Sequence, residues 1–414
     1  MRFKYLGLLL AGLLMCGVSM AQTNKIDSVA VEDFKPASTN QPGKQYPQVN
    51  SEGRVRASIS APEAKRVQLD ISAVKYDLTK DDKGVWTGDS KPQDEGFHYY
   101  QLWIDGAAVP DPNSMYFYGA SRWGSGIEIP AKDQDFYALK NVPHGQLREN
   151  LYFSKSTNEL RRCFVYTPPG YDESTYKRYP VLYLQHGMGE NETGWGNQGH
   201  ANLIMDNLIT EGKAKPLIIV MDNSSVTFPA NPDSGRAGMG DRRPGAPDTA
   251  SAGNPNRPRR GGFGNFNFAA QFEKILINEL IPFIEANYRT LTDQPHRAMA
   301  GLSMGGMQTR LITLANLKTF SQAGIFSGGS FSMTDVNSSP GFKGSVKLVF
   351  VSFGSRELEN RRPGGPFGGD PKVNTDSLKA AGINSHFYVS PQTAHEWQSW
   401  RRSLHEFVPL LFKD

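Results

Sequence analysis

Gly301-Leu302-Ser303-Met304-Gly305-Gly306 is the one place where this chain sets a serine between glycines at G-x-S-x-G spacing. The apolar run Ala298-Met299-Ala300 precedes it and a helical pattern follows, so the segment reads as strand, sharp turn and helix. That context gives the spacing a chemical purpose. A serine hydroxyl becomes a useful nucleophile when a strained turn lifts it clear of the sheet beside a base. Gly301 and Gly305 flank it because a side chain at either would collide across the turn. The helix that follows aims the positive end of its dipole at an oxyanion forming on an attacked carbonyl.

A base and an acid must then follow in the order Ser, acid, His. His386 lies within the strand pattern Phe387-Tyr388-Val389, and His405 within the last helix beside Leu404. His395 stands in a loop after the last strand, where a base enters from the carboxyl edge of a sheet, and is the expected base. The preceding strand pattern, Lys347–Phe353, runs into Gly354-Ser355-Arg356-Glu357. Glu357 is the expected acid, holding the imidazole in the right tautomer, with Glu359 and Asp370 as rivals on the same loop. An oxyanion hole needs two backbone N–H groups. Met304, directly after the nucleophile, supplies one; the loop His186-Gly187-Met188-Gly189 after strand Val181–Gln185 supplies the other, with Met188 the expected donor. His186 precedes the serine and reads as a structural anchor.

The elements that must carry these residues fall into two blocks. From Arg54 to about residue 140 the chain alternates apolar and polar residues: Val55, Ala57, Ile59; then Val67, Leu69, Ile71; then the aromatic run Phe97–Ile104 closing at Asp105-Gly106. Residues 45–142 are read as a small all-β, immunoglobulin-like sandwich. From residue 145 to 414 short apolar runs alternate with helical segments such as His200–Thr210 and Phe268–Tyr288, giving an α/β class with a doubly wound, mostly parallel sheet. Polar residues 22–44 read as a linker. Two Gly/Pro/Arg-rich stretches interrupt the second block: residues 231–265, with Arg236, Arg242, Arg243, Arg257, Arg259 and Arg260, and the shorter Arg361–Gly369. The first is a candidate lid over the site or an insertion with no role.

Composition narrows the class. With 45 Lys+Arg against 41 Asp+Glu among 414 residues, the net charge of +4 is too small and too dispersed for a nucleic-acid binder. Arg2 and Lys4 followed by the apolar run Leu6–Val18 and Ser19-Met20-Ala21 read as a cleavable signal peptide over residues 1–21, pointing to secretion or the periplasm; lipid attachment at Cys16 ranks second. No other run is apolar for long enough to span a membrane. Cleavage would leave Cys163 as the only cysteine, in a strand core, so no internal disulfide is expected. Neither a metal nor an organic cofactor is expected, since nothing shows metal-ligand spacing.

These residues also carry a family resemblance. His186-Gly187-Met188-Gly189-Glu190 with Trp195, Leu280-Ile281-Pro282-Phe283-Ile284-Glu285-Ala286-Asn287-Tyr288-Arg289, the serine elbow and His395-Glu396-Trp397 together resemble the esterase-D-like α/β-hydrolases. Within them the set looks like carbohydrate esterase family one, the feruloyl and acetylxylan esterases. The resemblance covers residues 145–414. It implies that the acid stands three residues after a strand-ending Gly, as Glu357 does after Gly354, with Glu in place of the usual Asp. It also implies that Met188 donates to the oxyanion, and that Trp195, Asn223 and Trp397 line the substrate pocket. Gly84-Val85-Trp86-Thr87-Gly88, Phe97-His98-Tyr99-Tyr100, Asp105-Gly106 and Asp111-Pro112 resemble the carbohydrate-binding sandwich of isoamylase and glycogen-binding domains. That implies sugar contacts from Trp86, Trp103 and Trp123, against the alternative that they fill a core. The function so implied is hydrolysis of ferulate or acetate esters on an arabinoxylan-like polysaccharide. Acyl transfer or peptide hydrolysis on the same triad, and a catalytically weak sugar-binding surface protein, are the alternatives.

Overall fold

The computed structural model describes residues 31–226, 268–359 and 369–413. The signal-like segment 1–21 with Cys16, the insertion 231–265 and nearly all of Arg361–Gly369 lie outside the described residues.

Eleven strands build the N-terminal block: β1 (Lys35–Pro36), β2 (Gln48–Val49), β3 (Val55–Ser60), β4 (Val67–Ile71), β5 (Val74–Asp77), β6 (Thr79–Lys80), β7 (Val85–Asp89), β8 (Gly96–Ile104), β9 (Ala107–Val109), β10 (Tyr116–Gly119) and β11 (Arg122–Ile129). One sheet runs β1-β2-β3-β7-β6; the other runs β10-β11-β8-β4-β5, with β9 paired to β8. The alternation seen in the sequence is what packs them: Val55, Ala57, Val67, Leu69 and Ile71 point inward and are fully buried. Asp105 and Gly106 both take positive φ and close the β8–β9 hairpin, as their types foretell. Composition reads residues 22–44 as a linker, but β1 pairs antiparallel with β2, and the Gln41 N–H donates to the Asn113 carbonyl at 2.7 Å. The segment has no apolar alternation to reveal this. Its side chains do the holding, with Asn40 Nδ2 donating to the Pro47 carbonyl and Gln41 Nε2 to that of Ser114.

The second block is a mixed eight-stranded sheet in the order β12-β13-β15-β14-β16-β17-β18-β19. Its strands are β12 (Gln146–Ser154), β13 (Glu159–Thr167), β14 (Val181–Gln185), β15 (Ile218–Asp222), β16 (Arg297–Leu302), β17 (Gln322–Phe326), β18 (Leu348–Gly354) and β19 (Ser385–Ser390). The pairs from β15 to β19 are parallel; the β12–β13 hairpin and the β13–β15 pair are antiparallel. Helices cover both faces, which is why the central strands are apolar throughout. The long helix expected over 268–288 contains a widened π turn at Leu276–Leu280, just before Pro282. Proline has no N–H to give and crowds the carbonyl four residues back, so the ladder loosens there. Among the described residues no helix is long and apolar enough to cross a membrane.

Strand β8 joins the two blocks. Tyr100 and Leu102 point into the sandwich core, while Phe97 and Tyr99 on its other face pack with Trp195, Trp397 and Phe407 of the second block. Polar ties surround this seam. Arg401, fully buried, forms a two-pronged pair with Glu128 of β11 at 2.6 and 3.0 Å. Arg402 pairs with Asp133, and Arg356 with Asp94. The sandwich is therefore packed onto the second block along the helix Trp397–Phe407, directly after His395.

Candidate active site

Ser303 sits between β16 and the helix Met304–Ala315 with φ 51° and ψ −113°, a conformation that L-residues avoid. The fold enforces it. The Ser303 N–H donates to the Phe326 carbonyl at 2.7 Å. A Cβ on Gly301 would come within 2.5 Å of Gly305, and one on Gly305 within 2.6 Å of the His186 carbonyl. Strain held by surrounding structure is a recurrent property of reactive positions.

The expected relay is assembled. His395 Nε2 lies 2.9 Å from Ser303 Oγ, and His395 Nδ1 lies 2.5 Å from Glu357 Oε1. The second Glu357 oxygen accepts from Ser327 Oγ at 2.8 Å and from the Gly354 N–H at 2.9 Å. With a carboxylate on Nδ1, the imidazole carries its proton there and leaves Nε2 free to accept from serine. The rivals are elsewhere engaged or displaced: Asp370 caps the helix Pro371–Ala380, and Glu359 ends the short helix Ser355–Glu359 that carries Glu357. His386 pairs with Asn384 in β19, and His405 neighbours Glu406. Cys163 is buried in β13, and burial pushes its thiol far above the usual range, which leaves it inert.

Two supports had no strong signal in the sequence. Ser327, at the end of β17, orients Glu357 and accepts from Trp400 Nε1 at 3.1 Å. The Trp400 ring stands edge-on to His395, with centroids 5.1 Å apart. Its place one helical turn after Trp397 was the only hint.

The loop His186-Gly187-Met188-Gly189 passes beside the nucleophile. Gly187 rests on the nucleophile: a Cβ there would approach Ser303 Cβ to 3.4 Å and Leu302 to 2.5 Å. Met188 is exposed on the loop, and Met304 opens the helix that starts directly after Ser303. His186 is fully buried. Its Nδ1–H donates to the Gly187 carbonyl at 2.7 Å, and Nε2 accepts from the Ser224 N–H at 3.0 Å. Burial pushes its pKa below the ordinary histidine value, so it stays neutral and structural.

The remaining pocket candidates divide. Trp397 lines a cavity of about 530 Å³ that also reaches His395. Its other wall belongs to the sandwich, with Asp70, His98, Gln101 and Arg122 and the hairpin turns Ser72-Ala73 and Gly119-Ala120. Trp195 does not line it. Its ring is buried against Trp397 and Phe326, and its Nε1 donates to the Gln185 carbonyl, which lets a tryptophan of the short helix Gly194–Asn197 serve as core. Asn223 lines a different depression, with Arg161, Arg162 and Glu192. Of the three sandwich tryptophans, Trp86 is core, its Nε1 satisfied by the Ala61 carbonyl. Trp103 donates to Asp70 and is covered by the Lys75 ammonium, 3.1 Å from its ring centre. Trp123 is half exposed against Tyr118.

Glu190 closes the inner end of the cavity. It is 9% exposed, and both carboxyl oxygens take the Tyr99 hydroxyl, at 2.9 and 3.0 Å. Burial raises its pKa to about 8, with hydrogen bonds from Tyr99 and Trp397 opposing the rise. The folded chain thus keeps a proton that the unfolded chain releases above its ordinary value of 4.5. Stability should fall as pH rises from about 4.5 to about 8, by up to about 1.4 kcal/mol per unit, and level off above. Glu190→Gln removes this titration. In urea unfolding the variant should gain on the native chain steadily from pH 5 to 8; a constant difference across that window would refute the assignment.

The chain is similar to known proteins over much of its length. Residues 154–351 match the family model described as putative esterase. The chain is 44% identical over 390 residues to an endo-1,4-beta-xylanase/feruloyl esterase of Xylanibacter ruminicola, covering 92% of this chain and 48% of that protein. It is 25% identical over 281 residues to endo-1,4-beta-xylanase Y of Acetivibrio thermocellus, covering 62% of this chain and 22% of that protein. The chain thus spans half or less of the length of these relatives. Among solved structures, a ferulic acid esterase from Anaeromyces mucronatus in complex with ferulic acid superposes with a TM-score of 0.51 at 20% identity, over 68% of this chain and 96% of that one. The enterobactin esterase of Shigella flexneri superposes at 0.57 and 14% identity, over 87% of this chain and 93% of that one. At such identities the two structures speak for the fold alone: an esterase α/β sheet preceded by an all-β region. Across residues 154–351 the chain is thus similar to the esterase family.

Proposed function

We propose that this chain is a secreted or periplasmic serine esterase that removes ferulate or acetate from xylan-type side chains. The observation that carries the reading is the Ser303–His395–Glu357 relay, whose His395 lines a cavity walled on one side by the sandwich. His395 takes the proton of Ser303 as the hydroxyl attacks the ester carbonyl. The Met188 and Met304 N–H groups receive the oxyanion. His395 then protonates the departing sugar hydroxyl, and water releases the acid from the acyl-enzyme by the same route. The name of the 44% identical relative supports ferulate as the acyl group. The immunoglobulin-like sandwich, residues 45–142 by sequence and extended to β1 by pairing, would carry the polysaccharide past the cavity. Its polar wall of Asp70, His98, Gln101 and Arg122 suits sugar hydroxyls, and Trp123 offers an exposed ring face. Purified protein incubated with methyl ferulate, feruloylated arabinoxylan and acetylated xylan, with free acids measured by chromatography, should release ferulate from the first two. Release of neither ferulate nor acetate would overturn the reading.

A further inference from the structure

The sandwich touches the oxyanion loop itself, at two consecutive residues. The Ser121 N–H donates to the Gly189 carbonyl at 2.8 Å, and the Tyr99 hydroxyl donates to the Glu190 carboxyl. Tyr99 is in turn fixed from the second block, accepting from Gln198 Nε2 at 2.7 Å and from Trp397 Nε1 at 3.3 Å. The contact is close enough to dictate residue type. Gly189 takes φ +79°, and a Cβ there would meet Ala120 Cα and Ser121 N at 3.3 Å. On the other side, Ala120 and Ser121 both take positive φ, 50° and 63°, in a two-residue turn between β10 and β11 that contains no glycine at its centre. Side chains in that region cost on the order of 1 kcal/mol or more each. Met188 lies one residue before this clamped pair, and Gly187, bonded through its carbonyl to the Glu190 N–H at 3.2 Å, rests on Ser303.

We propose that Tyr99 of the sandwich is a positioning residue for the hydrolysis, holding Glu190 and with it the loop that presents the Met188 N–H to the oxyanion. The inference rests on the esterase reading above. It gives the sandwich a second duty, separate from any grip on a polysaccharide: the loop of the second block is set by a side chain of the first. A sandwich that only gathered polymer would leave the turnover of a small soluble ester untouched.

The test uses full-length protein and methyl ferulate. Tyr99→Phe keeps the ring in its packing and removes only the hydroxyl. It should lower kcat about tenfold with KM within about twofold, because a displaced oxyanion donor weakens the transition state more than the bound ester. Inhibition by an arylboronic acid, whose tetrahedral adduct on Ser303 places an oxygen in the hole, should weaken about tenfold as well. Inhibition by the product ferulate should stay within twofold. Glu190→Gln, which keeps an acceptor for Tyr99, should recover most of the rate that Glu190→Ala loses. Arg66→Ala, at an exposed sandwich ion pair with Asp77, should leave kcat unchanged. Native kcat in Tyr99→Phe, or equal losses of boronate and ferulate affinity, would overturn the proposal. Hydrolysis persisting in Ser303→Ala would instead overturn the esterase reading, so the two failures are distinguishable.

Discussion

Ser303→Ala is expected to abolish turnover, lowering kcat on the order of a millionfold, and His395→Ala to do the same. The reason lies in how few alternatives the geometry leaves. Among the described residues Ser303 Oγ is the hydrogen-bond partner of His395 Nε2, at 2.9 Å, and His395 is held from behind by a carboxyl that itself accepts two further hydrogen bonds. The three side chains act as one device, so the double variant Ser303→Ala/His395→Ala should be scarcely worse than either single one. Glu357→Gln should cost less, about a thousandfold to ten-thousandfold. The amide cannot stabilise the imidazolium, and its NH₂ can turn toward Nδ1 and favour the wrong tautomer. The loss should be in kcat, with KM for methyl ferulate little changed, since none of the three groups holds the ground-state ester. Single-turnover measurement of ferulate release decides it. Additive losses in the double variant would mean that Ser303 and His395 do not act together.

The contacts of Ser303, His395 and Glu357 were legible because their geometry is written in short-range signals. A serine between obligatory glycines, a histidine in the loop after the last strand and a carboxylate three residues past Gly354 each sit beside a strand end, and strand ends are read from runs of apolar residues. Strands β14 and β16 to β19 were legible as apolar runs suited to a mostly parallel sheet for the same reason. β12 was not, because its pattern is inverted: Leu151 and Phe153 face outward and are exposed, while Arg148 and Asn150 lie on the more covered side. The tryptophans show the other limit. Alternation says that Trp86 and Trp103 lie on opposite strand faces from their neighbours, but not which face is wet. Trp195 sits in a loop pattern that suggests exposure, and only the Gln185 carbonyl, brought near by the fold, makes its burial favourable. Contacts between the two blocks were the least legible of all. Tyr99 to Glu190 spans 91 residues and Arg401 to Glu128 spans 273, and nothing local marks either member as one of a pair.

That last pair carries the largest stability effect expected of any substitution at the seam. Glu128→Ala should destabilise the protein by about 3–5 kcal/mol, because it strands a buried guanidinium without its charge partner. Arg401 is fully enclosed; without Glu128 it keeps the Gln198 carbonyl at 2.7 Å, a long contact to Gln398 and the face of Tyr137, with no negative charge among them. Asp133→Ala provides the comparison. It removes the partner of Arg402 on the same helix, but Asp133 is 43% exposed and water can take its place, so the cost should be about 1 kcal/mol or less. The double variant Glu128→Leu/Arg401→Met, which replaces the buried pair by apolar groups of similar bulk, should recover most of the loss, since neither charge then has to be taken out of water. Urea unfolding of the three variants, followed by tryptophan fluorescence, measures all of these. Equal costs for Glu128→Ala and Asp133→Ala would mean that Arg401 is hydrated when unpaired and that the seam is looser than its packing implies. The expected ranking ties the sandwich to the helix that begins two residues after His395, the proposed base. A weakened seam should therefore also reduce kcat on small esters, in the same direction as Tyr99→Phe but through the placement of His395 rather than of Met188.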